Sequence, residues 1–148
     1  MLNLERNILL IGIATALAAV MISGQERDSG SRVYTAQQAT AGRTAFQTNC
    51  AGCHLADLSG EGDAPPLRGT AFLGAWGSRT TKELLSFIQR AMPPQRSGSL
   101  PPQQYLDIVA LILQQNGAVA GNQAFTANTE VTINSVVSGQ AEAAPDPR

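Results

Sequence analysis

Apolar side chains in this chain fall into three helical stripes. A long stretch in which glycine and proline interrupt every periodicity separates the first stripe from the second. Thr35 is placed to cap a first helix over Ala36 to Asn49, where Ala39, Gly42 and Ala45 leave one side without bulk and Phe46 is the main apolar anchor. Gly42 costs helix stability relative to alanine. Its use is the close approach of a second helix. Thr80 followed by Glu83 is a capping-box pair, and Leu84, Phe87, Ile88 and Ala91 follow at i, i+3, i+4 and i+7, one face of a second helix. That helix must stop at Met92, because Pro93 and Pro94 follow and a residue before proline is pushed out of the α region. Pro102 suits the first position of a third helix, which runs to Gln115. Tyr105, Ile108, Val109, Leu111, Ile112 and Leu113 make it the most apolar of the three, and Asn116-Gly117 supplies a left-handed end.

From Leu55 to Arg79 neither helical nor alternating spacing is visible, and Gly60, Gly62, Pro65, Pro66, Gly69, Gly74 and Gly77 punctuate the run. A loop of this length is uncommon in a small domain unless it carries function or is disordered. Leu67, Phe72, Leu73 and Trp76 are therefore apolar residues with no helix of their own, and they need a packing surface from elsewhere. Beyond Gly121 the chain is polar with small residues. Glu130 to Ile133 predicts one extended strand, and the Ala/Glu/Pro-rich stretch from Gly139 to Arg148 predicts disorder.

The ends lie outside the helical pattern. Ile8 to Ile22 carries no charge and is preceded by Glu5 and Arg6. That length is long for a signal core and short for a bilayer span, so residues 1–24 read as a signal peptide or an N-terminal membrane anchor. Residues 25–34 read as a polar linker, 35–121 as the folded domain and 122–148 as a partly disordered extension. Ten basic residues stand against 11 acidic ones, which excludes a nucleic-acid footprint or a polybasic membrane patch. Contact with a membrane then depends on retention of the N-terminal segment. Charge is uneven locally: Arg68, Arg79, Lys82, Arg90 and Arg96 face only Glu83 between Leu67 and Leu100, while Asp57, Glu61 and Asp63 precede them.

With one Trp, two Tyr and four Phe, the chain has little aromatic bulk for a core. Its two cysteines lie in one run, Cys50-Ala51-Gly52-Cys53-His54, which reads as a c-type haem attachment site. Two thiols at this spacing add across the two vinyl groups of one haem, and the adjacent imidazole falls under the iron. The competing readings are weaker. A redox dithiol needs a βαβ context, and zinc needs four ligands where the chain offers two Cys and one His. With no second His, and with Met1 and Met21 in the leader, Met92 is the sixth ligand by elimination. Such a Met/His pair raises the reduction potential. A haem His donates its other ring N–H to a nearby acceptor, and the carbonyl of Pro65 is the candidate, although Pro65-Pro66 also reads as a stiff turn. Trp76 reads equally as a propionate donor and as core packing.

These residues resemble the class I monohaem c-type cytochromes over about residues 35–118. The resemblance rests on Gly42 and Phe46, Cys50 to His54, Pro65-Pro66-Leu67-Arg68-Gly69, Met92-Pro93 and Tyr105. Trp76, Met92-Pro93-Pro94, Gly98-Ser99-Leu100 and Asn116-Gly117 look most like the cytochromes beside quinoprotein (PQQ) alcohol dehydrogenases. The resemblance implies a small all-α cytochrome c fold, three main helices and long loops around one covalent haem c. It also implies a crossing of first and last helices with Gly42 and Phe46 against Tyr105, a Pro65 carbonyl on the proximal His54, and Met92 as axial ligand. The expected function is one-electron transfer between periplasmic redox partners such as a quinoprotein dehydrogenase or a terminal oxidase, rather than catalysis. The rival expectations are a tightly bound cytochrome subunit of a quinoprotein alcohol dehydrogenase, and a haem enzyme or gas sensor with a labile sixth ligand.

Overall fold

A computed structural model describes residues 32–137 of the chain. The expected leader, most of the expected linker and the stretch 139–148 lie outside the described residues. Six helices follow in order: α1 (Ala36–Asn49), α2 (Ala51–His54), α3 (Gly69–Trp76), α4 (Thr81–Ala91), α5 (Pro102–Gln115) and α6 (Ile133–Val137), with a short 3-10 turn over Pro94–Arg96. No strand is present among the described residues, only isolated bridges pairing Thr35 with Gly121 and Thr80 with Thr132. The fold is therefore all-α, with three main helices, as the periodicity predicts.

Both predicted caps are in place. Thr35 accepts from the Gln38 amide while the Gln38 side chain reaches back to the Thr35 amide, and Thr80 and Glu83 do the same for α4. Each box satisfies two amides that a helix start otherwise leaves open. α1 lies across α5, with Gly42 at the crossing. A side chain at position 42 would run into the backbone carbonyl of Asp107, and Leu111 Cβ lies 3.1 Å from where a Cβ would sit. Glycine is required there because only its missing Cβ lets the two backbones come this close. The atoms nearest Gly42 belong to Asp107 and Leu111 rather than to Tyr105, so the implied partner is displaced along α5. Tyr105 is buried, but its hydroxyl is engaged elsewhere. α5 buries every residue from Asp107 to Leu113, and the Asp107 carboxylate accepts from Gln103 Nε2 at 2.8 Å.

The structure departs from the sequence reading in several places. The stretch from Leu55 to Arg79 is not wholly irregular: it contains α3, two turns long, with Phe72 buried beneath it. Eight residues with an internal Gly74 and a flanking Gly77 are too few to show a period. On α4, Leu84 and Ile88 of the expected stripe are buried and Leu85 joins them, while Phe87 is 39% exposed. The chain from Ala118 to Val137 is also folded, and it wraps the domain. Tyr34 Oη donates to the Ala118 carbonyl (2.5 Å), and the buried Gln38 amide donates to the Phe125 carbonyl (2.9 Å) and accepts from its N–H (2.7 Å). Thr81 and Val131 are joined through the Thr81 N–H, and the Ile133 and Asn134 amides donate to the Arg79 and Gly77 carbonyls at 2.9 Å each. Phe125, Ile133 and Val136 are buried, and the expected strand at 130–133 gives way to the Thr80–Thr132 bridge and α6. Val33 and Tyr34, placed at the end of the linker by sequence, belong to the core.

Candidate functional site

α1 ends at Asn49, and the Cys50 amide closes it by donating to the Phe46 carbonyl at 2.8 Å. The backbone turns at Cys50 and enters α2, one turn long, which places His54 at its end. His54 is buried, Cys50 is half-buried and Cys53 is exposed. Burial pushes the Cys50 thiol up to about 11, with the Arg96 charge pulling the other way and Cys53 adding to the rise. A thioether at this sulfur has no proton to lose.

His54 Nδ1 lies 3.0 Å from the Pro65 carbonyl oxygen. A carbonyl only accepts, so Nδ1 carries the proton and Nε2 is the nitrogen left for a metal. Several contacts hold this carbonyl in place. Gly60 donates to the His54 carbonyl at 3.0 Å, and its φ of 72° lets its backbone pass against Ala64 and Pro65. A Cβ there would sit 2.9 Å from the Pro65 oxygen. Leu67 N–H donates to Leu58 (2.9 Å), and Asn116 at the end of α5 grips both sides of Arg68. Its Nδ2 donates to the Leu67 carbonyl and its Oδ1 accepts from the Gly69 amide, both at 2.9 Å. Sequence reasoning reached Pro65 but gave no role to Gly60 or to the Asn116 side chain.

Met92 ends α4 in extended backbone (φ −125°, ψ 143°), with its amide still bound to the Ile88 carbonyl at 2.9 Å. Its carbonyl accepts from Tyr105 Oη at 3.2 Å, and its half-buried side chain packs on the core. The loop that follows is tied back to the attachment segment by Arg96, which donates to Asn49 Oδ1 at 2.8 Å, one residue before Cys50. Trp76 closes α3. Its ring meets Phe87 at a centroid distance of 5.2 Å and carries the Arg79 guanidinium 4.9 Å above it. The cationic face counted from sequence is partly neutralised, because Arg68 pairs with Asp57 at 2.9 Å and Lys82 with Glu130 at 3.2 Å.

The donor set fits a covalent haem. Two thiols stand beside an imidazole whose Nδ1 is already engaged, and a thioether lies on a separate segment. Around them Cys50, Ala51, Leu67, Leu73, Trp76 and Met92 pack on the core with one side uncovered, and Phe87 is one of two large apolar side chains left exposed among the described residues. Half-covered apolar side chains drawn from several segments are what a large flat apolar body would bury.

Residues 37–112 match the family described as "Cytochrome C oxidase, cbb3-type, subunit III". Among solved structures the chain is similar to the sulfane dehydrogenase SoxCD from Paracoccus pantotrophus, at 18% identity and a TM-score of 0.47, over 90% of this chain and 80% of that one. No curated protein matches it.

Proposed function

The chain belongs to the cbb3-type cytochrome c oxidase subunit III family, and on that premise we propose that it is an exported one-electron carrier with His54 and Met92 as axial ligands. Its fold is that of a small all-α cytochrome c, its cofactor is covalently bound haem c, and its work is haem-based electron transfer with redox proteins as partners. Bound haem supplies a one-electron ferric/ferrous couple.

The chain's own residues set the terms on which that couple operates. Cys50 and Cys53 fix the macrocycle edge at the end of α1. The Pro65 carbonyl orients the His54 ring and, by drawing on its Nδ1 proton, makes Nε2 a better donor. Met92 is held through its own backbone at both N–H and carbonyl, which fixes the point from which its thioether reaches out. Trp76 and Phe87 exclude water from the apolar side of the site. With both axial positions filled by the protein, no position is open for oxygen or substrate, and little rearrangement accompanies gain or loss of the electron. Partners dock transiently over a small interface of the redox type, among them a terminal oxidase or a quinoprotein dehydrogenase. Attachment of haem to a Cys-x-x-Cys-His run takes place outside the cytoplasm in bacteria, so the domain is periplasmic, diffusing or tethered by residues 1–24.

The observation that carries this reading is the His54 Nδ1–Pro65 contact, which gives the lone imidazole the tautomer an axial ligand needs. Exchange of Met92 for Ala tests it. The reduced wild-type protein should resist carbon monoxide and show, when oxidised, the weak long-wavelength sulfur-to-iron band. Met92→Ala should lose the band, bind carbon monoxide rapidly and have a lower potential. A wild-type protein that binds carbon monoxide at once would instead favour the enzyme or sensor. The subunit alternative has the C-terminal extension wrap either a dehydrogenase or this domain; residues 118–137 bond to this domain's own α1 and α3–α4 junction, and co-purification with a large quinoprotein would favour that alternative.

A further inference from the structure

Tyr105 sits in the first turn of α5, and its ring is 2% exposed. Its hydroxyl faces neither solvent nor the α1 crossing. It donates to the Met92 carbonyl at 3.2 Å and accepts from the Leu100 N–H at 3.4 Å. One oxygen thus joins both ends of the segment from Met92 to Leu100, which contains the Pro94–Arg96 turn and has no other bond to α5 through these two groups. A hydroxyl can serve as donor and acceptor at once, so a single rigid side chain closes the loop. The ring is held by α5, eight of whose 14 residues are buried, so the two loop ends are referenced to the core rather than to each other.

We propose that Tyr105 is a positioning residue for the sixth ligand: its hydroxyl holds the Met92–Leu100 loop closed and so sets how readily the Met92 thioether yields its place to another ligand. The proposal rests on the reading of Met92 as ligand. Without the hydroxyl, Met92 loses its carbonyl partner and Leu100 its amide partner, and the loop swings out at lower cost. The effect is local, because the Phe ring fills the same space in α5.

Full-length haem-loaded Tyr105→Phe tests this, with imidazole as the competing ligand and the long-wavelength sulfur-to-iron band as the readout. Loss of these two hydrogen bonds corresponds to an imidazole affinity roughly five- to hundredfold higher than wild type. Haem attachment and the far-ultraviolet circular dichroism should be unchanged. A second measurement needs no variant: in the native wild-type protein the Leu100 amide should exchange its hydrogen more slowly than the Ser97 amide. Equal imidazole affinity in the variant and wild type, or a Leu100 amide that exchanges as fast as that of Ser97, overturns the role of Tyr105. If the wild-type protein lacks the sulfur-to-iron band altogether, it is the Met92 assignment that fails instead.

Discussion

At position 60 any side chain would do two things at once. It would occupy a left-handed backbone conformation (φ 72°), and it would press on the Pro65 carbonyl. The first costs about 1–2 kcal/mol for an L-residue; the second reaches the acceptor of the His54 Nδ1 proton. Gly60→Ala should therefore lower stability by about that amount and also raise the reduction potential, because an imidazole with a weakened Nδ1–H bond donates less to iron. Voltammetry of the variant checks the second effect: a potential equal to wild type would mean that the Pro65 carbonyl does not depend on Gly60. His54, Cys50 and Cys53 were legible in sequence because their chemistry is written in contiguous residues. The Gly60, Asn116 and Tyr105 contacts were not, because each joins groups that are neighbours only once the chain is folded. Gly60 was visible only as one glycine among many, and Tyr105 was legible as a buried aromatic but not in the direction of its hydroxyl.

Helices with a cap and a full stripe were readable as elements. Both boxes, at Thr35/Gln38 and Thr80/Glu83, begin the helices they were expected to begin. α3 was hidden because two turns cannot display a period, and Phe87 shares the apolar stripe of α4 yet stays exposed, because a stripe records what is apolar, not what covers it. The α4 cap has a testable pH dependence. Hydrogen bonds from the Thr80 backbone, then from its side chain, hold the Glu83 carboxyl below its ordinary 4.5. A depressed folded-state value means the stabilisation is complete above about 4.5 and fades as pH falls through the lower value. Glu83→Ala should thus melt below wild type at neutral pH, and the gap should close in acid. Glu83→Gln, which caps without titrating, should keep its margin over the alanine variant there. Thermal melts at neutral and acid pH decide it, and a gap independent of pH would show that the carboxylate charge has no part in the cap.

On the scale of the whole molecule, the family match ends at residue 112, yet the folded unit continues to at least Val137. Sequence hid this, because Phe125 stands alone in polar surroundings, and Ile133, Val136 and Val137, though spaced at i, i+3 and i+4, form a run too short to announce a helix. Gln38 is the anchor of the wrap. Exchange for Ala leaves both the Phe125 N–H and its carbonyl without partners in a buried setting, at about 1–3 kcal/mol each. The denaturation midpoint should fall accordingly while the visible spectrum of the haem protein stays as it was. A spectral change in Gln38→Ala would mean that the wrap reaches the metal centre.

The Gln38–Phe125 bond also imposes an order of events on synthesis. A polypeptide emerging from its N-terminus presents Cys50 to His54 long before residue 125 exists to complete the seat beneath α1, which is 87 positions further along from Gln38. Asn116, the brace of the proximal loop, arrives almost as late. Until residues 116–137 have emerged, the segment that carries the two sulfurs lacks these braces, and their arrival turns a bendable string into a clamped one.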